Sequence, residues 1–145
     1  MLKRSNFAFA AVACGLFLAG GPAAAADVTI EIAGVRAADG DLYVSLQTRE
    51  QFMKETGVAG EILKDPGAGM TRVVLPNVSA GDYSVSVWHD INGNGQFDFG
   101  PDGRPADGWS MVNASTLRGE PDFESVKFSV PPAGARIALE MVYSD

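Results

Sequence analysis

Apolar and polar residues alternate with a period of two along most of the chain after residue 27, and this pattern limits the fold more than any other feature. Val28, Ile30 and Ile32 alternate with Thr29 and Glu31. The same alternation marks DLYVSLQT (41–48), DYSVSVWHD (82–90), SVKFSV (125–130) and ARIALEMVY (135–143), while TRVVLPNV (71–78) is a less regular strand candidate. A period of two is typical of strands with one buried and one wet face. The chain is therefore predicted to be all-β.

Turn signals separate these segments and suggest how they connect. ADGD (38–41), SAGD (79–82) and PPAG (131–134) are short clusters of turn-forming residues. About six or seven short strands joined in this way predict an antiparallel β-sandwich. One short helix is predicted over residues 49–55, and residues 56–70 are predicted to be loop. We see no linker or internal repeat, so residues 27–145 are predicted to form a single domain.

The first 26 residues have the layout of a secretory signal peptide. A basic start at Lys3 and Arg4 precedes an apolar segment at residues 7–18 and an A-x-A site at Ala24 and Ala26. The apolar segment is too short to span a membrane. We therefore expect cleavage after Ala26 and a periplasmic or secreted product. Lipidation at Cys14, the chain's one cysteine, is the alternative.

The charge balance excludes some classes of partner. The full chain has 11 basic and 18 acidic residues, and removing Lys3 and Arg4 leaves 9 against 18, a net charge of −9. An acidic chain is unsuited to nucleic acid and to anionic membrane surfaces, but it attracts cations. No membrane-spanning segment remains after residue 26. The partner is otherwise unknown, and a protein or glycan bound at the long loop is one option.

One stretch of the acidic loop that follows the DYSVSVWHD strand has the ligand spacing of a calcium site. HDINGNGQFD (89–98) places Asp90, Asn92, Asn94 and Asp98 at relative positions 1, 3, 5 and 9, with Gly95 at the bend. Position 12, where an EF-hand has glutamate, is Pro101, and a strand leads in, so this is not an EF-hand. The predicted ligands are Asp90, Asn92, Asn94, the Gln96 carbonyl, Asp98 and a distant carboxylate, for which Asp102 and Asp107 are the nearest candidates. An unliganded turn is the alternative, because Asn-Gly pairs favour turns by themselves.

Other chemistry-bearing residues favour a role without catalysis. Strand alternation puts His89, the only histidine, on the face of Val85 and Val87, and Asp90 on the opposite, outward face. A hydrolase acting on glycan or peptide is the alternative, using the carboxylates Asp107, Glu120, Asp122 and Glu124. A purely structural or accessory domain is a third option. Trp88 and Trp109 either pack the long loop onto the sheet or form an aromatic platform for a sugar or peptide.

An ordered set of motifs resembles one known family. The set comprises a strand ending at residues 88–90, the DxNxNGxxD stretch at 90–98, a GxPxDG segment at 103–108 and a PxF segment at 121–123. Together they resemble the small exported bacterial proteins of the domain of unknown function 2141 family, from about residue 28 to residue 143. The resemblance implies an exported β-sandwich of transthyretin-like or immunoglobulin-like type. It implies no activity, because the family is named for lacking one.

Overall fold

The protein is an all-β structure of eight strands in a computed structural model that describes residues 24–38, 40–54 and 56–145. The strands are β1 Ala25–Val35, β2 Leu42–Gln47, β3 Ala59–Leu63, β4 Gly69–Ser79, β5 Gly81–His89, β6 Gly108–Ser110, β7 Phe128–Val130 and β8 Ala135–Glu140. A 3₁₀ helix covers Ala114–Thr116, and a one-turn helix, α1, covers Phe123–Val126. The predicted all-β class is confirmed.

The strands form two sheets. One has three strands in the order β4-β1-β8, and the other has the order β3-β2-β5-β6 with β7 also paired to β5. β7 pairs with the first residues of β5, and β6 pairs with the last residues of β5. β5 therefore lies at the centre of the larger sheet. Every pair of strands is antiparallel except β1 and β8, which are parallel. The predicted antiparallel β-sandwich is confirmed, and the β1–β8 pair is its one parallel contact among the described residues.

The core lies between the two sheets and is built by the alternation seen in the sequence. The inward side chains of β1, β2 and β5 are all buried: Val28, Ile30 and Ile32; Leu42, Val44 and Leu46; Val85 and Val87. β4 and β8 add Val73, Leu75 and Leu139. Because alternate residues of a strand point to opposite faces, each strand contributes one apolar row to the sandwich interior.

Three local predictions are wrong. Residues 49–54 form turns in place of a helix, with bonds from Gln51 N to Thr48 O (3.1 Å) and from Lys54 N to Gln51 O (2.9 Å), and with a positive φ of 59° at Met53. A left-handed residue cannot continue an α-helix. The predicted loop 56–70 contains β3. The predicted strand at 125–130 begins as α1, because the Asp122 carboxylate caps the Ser125 N–H at 3.0 Å.

Most of the predicted signal peptide, residues 1–23, lies outside the described residues. Ala25 and Ala26 begin β1 and pair with Ser79 and Val78 of β4. Among the helices that the structure describes, none has the length and hydropathy needed to cross a membrane.

Candidate metal-binding loop and the adjoining groove

The long loop leaves the centre of the larger sheet at the end of β5 and returns to it at β6. β5 ends at His89, and Asp90 N donates to Asp41 O at 3.0 Å. β6 begins at Gly108, opposite His89. Both ends of residues 90–107 are therefore fixed to neighbouring strands, and the loop stands over one end of the sheet.

Asp90 organises the first turn of the loop. Its Oδ1 accepts from Asn94 N at 3.2 Å and its Oδ2 accepts from Gly95 N at 2.8 Å. Gly93 and Gly95 both have positive φ, of 70° and 74°, which lets the chain fold back over the carboxylate. Only 2 % of Asp90 is exposed. The expectation that Asp90 faces outward is therefore wrong, because the loop that follows it covers the face on which it lies.

The remaining acidic and amide groups of the motif meet at Asp98. Nδ2 of Asn92 and Nδ2 of Asn94 both donate to Asp98 Oδ2 at 2.8 Å. The amide oxygens accept from the main chain, Asn92 Oδ1 from Asn94 N at 3.1 Å and Asn94 Oδ1 from Gln96 N at 2.9 Å. The structure thus brings three of the predicted ligands into direct contact, and Asn94 N connects them to Asp90.

Asp107 connects the loop to strand β5 through hydrogen bonds. No part of it is exposed, and three N–H groups donate to its carboxylate: Trp88 Nε1 (2.9 Å) and Asp98 N (3.1 Å) to Oδ2, and Ile91 N (3.3 Å) to Oδ1. Hydrogen bonds to a buried carboxylate are stronger than those between neutral groups. One side chain therefore fixes the sheet, the start of the loop and the predicted ligand at Asp98.

Asp102, the other candidate for a completing ligand, lies in a small exposed lobe. Ala106 N donates to Asp98 O at 2.8 Å and Gly100 N donates to Arg104 O at 2.7 Å, which closes residues 98–106 into a hairpin-like turn. At its tip, Asp102 Oδ1 accepts from Arg104 N and Oδ2 pairs with Arg104 Nε at 2.8 Å. Asp102 is thus engaged within its own turn.

The donor set suits a hard cation in type. Calcium takes six to eight oxygens from carboxylates, amides and main chain. Asp90 and Asp98 supply carboxylates, and Asn92 and Asn94 supply amide oxygens, each of which keeps a second lone pair beside the hydrogen bond it accepts. Within the described residues, no three His, Cys, Asp or Glu side chains form a metal cluster. A site here depends on amide and main-chain oxygens, including that of Gln96.

His89 lies under the loop, on the core face as alternation predicts. It is fully buried, and its Nδ1 lies 2.8 Å from the Tyr143 hydroxyl, which accepts from Arg36 N at 3.1 Å. Burial lowers the pKa of His89, and the nearby Asp107 and Asp90 carboxylates oppose that change. Burial also raises the pKa of Tyr143. This histidine is a core residue rather than one of the loop's donors.

The carboxylates of the hydrolase alternative have separate positions. Asp122 caps α1, Glu124 pairs with Arg49 and with Lys127 (3.0 Å), and Glu120 is exposed. Asp107 is held by the N–H groups described above. The structure does not bring the four together.

The outer face of the larger sheet holds a groove at Trp88 and Trp109, the two residues for which the sequence left an aromatic platform as an alternative. It has a volume of about 1440 Å³ and is bordered on one side by the long loop. Trp88 stacks on Tyr43 with 4.5 Å between ring centroids, and Phe97 of the loop packs edge-on to Trp88 at 6.2 Å. The packing role predicted for Trp88 is present, yet Trp88 and Trp109 also line the groove. The sequence did not predict the rest of the groove, for which the available signal was Tyr43 on the strand face opposite the core, paired with Trp88.

Fold and site together define a class: an all-β sandwich whose larger sheet bears a turn-rich acidic loop beside an aromatic groove. The chain belongs to the family described as "Uncharacterized protein conserved in bacteria (DUF2141)", whose model matches residues 30–138. This confirms the resemblance found in the motifs. No curated protein and no solved structure matches the chain.

Proposed function

We propose that the protein is an exported, non-enzymatic binding protein in which residues 90–98 hold a calcium ion that orders the long loop. The observation that carries this proposal is the meeting of the Asn92 and Asn94 amides at one oxygen of Asp98, both at 2.8 Å. These contacts hold the side chains of Asn92, Asn94 and Asp98 close together. An ion would replace the two Nδ2 donors at Asp98, so both amides would turn their oxygens toward it while the backbone changes little.

Charge supports the same proposal. Asp90 and Asp98 lie within one short turn, and the ion pairs found among the described residues involve other carboxylates, such as Glu31 with Arg72 and Asp82 with Lys127. Two carboxylates held near each other repel, and a divalent cation removes that repulsion. Because several ligands are neutral amides, the expected affinity is that of weak extracellular modules, with a dissociation constant of about 10⁻⁴ to 10⁻³ M.

Export is supported by the sequence of residues 1–26, with its basic start, apolar segment and A-x-A site. Extracellular modules bind calcium with affinities of this order, so compartment and affinity fit together. The non-enzymatic role is supported by the separate structural partners of Asp107, Asp122 and Glu124.

Isothermal titration calorimetry of the purified protein with calcium chloride tests the proposal, with thermal melting followed in parallel. We expect saturable heat in the millimolar range and a melting temperature that rises with calcium, because an ion that binds only the folded state stabilises it. Asp98→Asn removes one negative ligand and should weaken binding by about tenfold or more. Asp102→Asn, in the exposed lobe, is the matched control and should titrate like the wild type.

Magnesium serves as the second control, since it demands a smaller octahedral site and binds flexible loops less readily. Absence of both heat and stabilisation at millimolar calcium would refute the proposal. Equal affinity in wild type and Asp98→Asn would place any bound ion elsewhere on this acidic chain.

A further inference from the structure

The floor of the groove is two rows of side chains that run across the strands of the larger sheet. In the first row, Tyr43 of β2 is paired with Ile62 of β3 on one side and Trp88 of β5 on the other, and Trp88 is paired with Trp109 of β6. In the second row, Ser45 lies between Gly60 and Ser86. A large apolar row next to a row of small residues makes a trough whose axis crosses the strands.

The walls of the trough are exposed apolar side chains. Phe97 (39 % exposed) and Phe99 (64 %) stand on the loop side, and Met53 (59 %) stands on the other. With Ile62, four of the seven exposed large hydrophobic residues in the described chain lie at this one groove. Such clustering marks a binding surface, because scattered single apolar residues are the norm elsewhere on proteins.

The size of the trough favours an extended ligand. Four strands give three spacings of about 4.8 Å each, so the floor is about 14 Å long. The groove volume of about 1440 Å³ exceeds the range of about 300–1,000 Å³ usual for a compact small molecule. A chain of several units fits these dimensions better than a single small metabolite.

The polar groups on the floor of the groove are neutral. Ser86 Oγ donates to Gln47 Oε1 at 3.2 Å, and Gln47 Nε2 donates to Lys54 O at 2.6 Å, which fixes the floor. The charged lining residues are Lys54, Glu61 and Glu120, all exposed at the rim. A charged ligand would find no opposite charge on the floor, and an anionic ligand would also meet an acidic protein.

The main-chain N–H and C=O groups of the two central strands, β2 and β5, are already hydrogen-bonded to neighbouring strands. β2 pairs with β3 and β5, and β5 pairs with β2 and β6, so their N–H and C=O groups bind neighbouring strands. A peptide adding as a further strand would lie along the outer edge of β3, the end strand of the sheet, and not across the paired strands of the floor. Recognition therefore rests on side-chain hydroxyls and amides between aromatic rings. This suits a ligand that carries hydroxyls on an otherwise apolar carbon skeleton.

From these features we infer that the groove binds a neutral oligosaccharide chain lying across β3, β2, β5 and β6. Sugar C–H faces pack against Phe97, Phe99 and Trp109, and sugar hydroxyls bond to Ser45 and Ser86. The inference deepens the proposed binding role by naming its ligand, and it rests on that role but not on the calcium ion.

Intrinsic fluorescence tests the inference directly, because both tryptophans of the chain line the groove. The probes are hexasaccharides of β-1,4-glucose, β-1,4-xylose, β-1,4-N-acetylglucosamine and α-1,4-glucose, with an apolar decapeptide as the competing class. We expect at least one saccharide to bind with a dissociation constant of about 1 mM or lower. Phe99→Ala should weaken it about three- to tenfold. Ser45→Leu, which fills the trough, should abolish binding.

Met70→Ala is the matched control, since Met70 is an exposed apolar residue (72 %) of β4, outside the groove lining. It should bind like the wild type, and melting curves establish that each variant is folded. Absence of binding to all four saccharides, binding of the decapeptide alone, or unchanged affinity in both groove variants would overturn the inference.

Repeating the titrations with calcium and with chelator separates the two proposals. Normal calcium heat without saccharide binding overturns only the groove inference. Saccharide binding in a protein that gives no calcium heat overturns only the calcium site.

Discussion

Replacement of Asp107 by asparagine is the sharpest test of how the loop is held. The change preserves the shape of the side chain and removes its charge and one of its two acceptor oxygens. If the amide oxygen replaces Oδ2, it keeps the bonds from Trp88 Nε1 and Asp98 N, and the amide NH₂ then faces the N–H of Ile91. The buried N–H of Ile91 loses its acceptor, and the two remaining hydrogen bonds are made to a neutral amide oxygen in place of a charged carboxylate.

The size of the effect follows from these contacts. An unpaired buried donor costs about 1–3 kcal/mol, and a bond to a charged group is worth about 1 kcal/mol more than a neutral one. Relief from burying a carboxylate offsets part of this loss. We expect the free energy of unfolding to fall by about 2–4 kcal/mol. At about 4 °C per kcal/mol for a domain of this size, the melting temperature should fall by about 8–16 °C.

Urea denaturation and differential scanning calorimetry, both in chelator, measure the change without any contribution from bound ions. Asp102→Asn is the control, since Asp102 is exposed and pairs only within its own turn, and it should change stability by less than about 0.5 kcal/mol. Equal stability of the two variants would refute the reasoning. A loss seen for Asp107→Asn only in calcium would show that Asp107 acts as a ligand rather than as an anchor.

Two further predictions concern residues around the loop. Burial lowers the pKa of His89 in the folded protein below its ordinary value of 6.5, so on acidification the unfolded chain binds a proton at this histidine before the folded chain does. The contribution of His89 to the free energy of unfolding should therefore be constant above about pH 6.5 and decrease as the pH falls below it. Urea denaturation from about pH 8 to about pH 5 checks this, and stability that increases on acidification contradicts it. Gly40→Ala should destabilise the protein by more than about 3 kcal/mol in thermal melts, because the new Cβ would lie 1.5 Å from Asp90 O. Gly67→Ala is the control and should leave the melting temperature unchanged, because its Cβ would have no atom within 4 Å. Similar melting temperatures for these two variants would disprove the close packing at Gly40.

The period-two pattern predicted the strands that build the core, because each of these strands has one buried face and one solvent-exposed face. It missed β3, since AGEIL has little alternation and gains its strand geometry from pairing with β2. The parallel contact of β1 with β8 could not be predicted from local patterns either, because it joins distant parts of the chain. Local capping by Asp122, which converts the start of the strand predicted at 125–130 into α1, has a signal in the sequence, because Asp favours helix N-caps.

The candidate site was predictable as a set of residue types and not as a geometry. Spacing placed Asp90, Asn92, Asn94 and Asp98 in one turn, and they do lie together. Alternation alone could not show that the loop folds back over Asp90 and buries it. Nor could spacing show that Asp107, nine residues beyond Asp98, meets the backbone of Asp98 and the indole of Trp88 at a single oxygen.

That shared oxygen gives the loop and the groove a physical connection. Trp88 belongs to the aromatic row of the groove, Asp98 belongs to the proposed ion site, and Asp107 Oδ2 accepts from both. Phe97 strengthens the connection, because it precedes Asp98 in the loop and packs on Trp88. An ion that fixes Asp98 therefore also fixes one wall of the groove, and the ordering entropy is lost once for both ligands. Since coupling between two binding sites is reciprocal, any factor by which calcium tightens saccharide binding is the factor by which the saccharide tightens calcium binding.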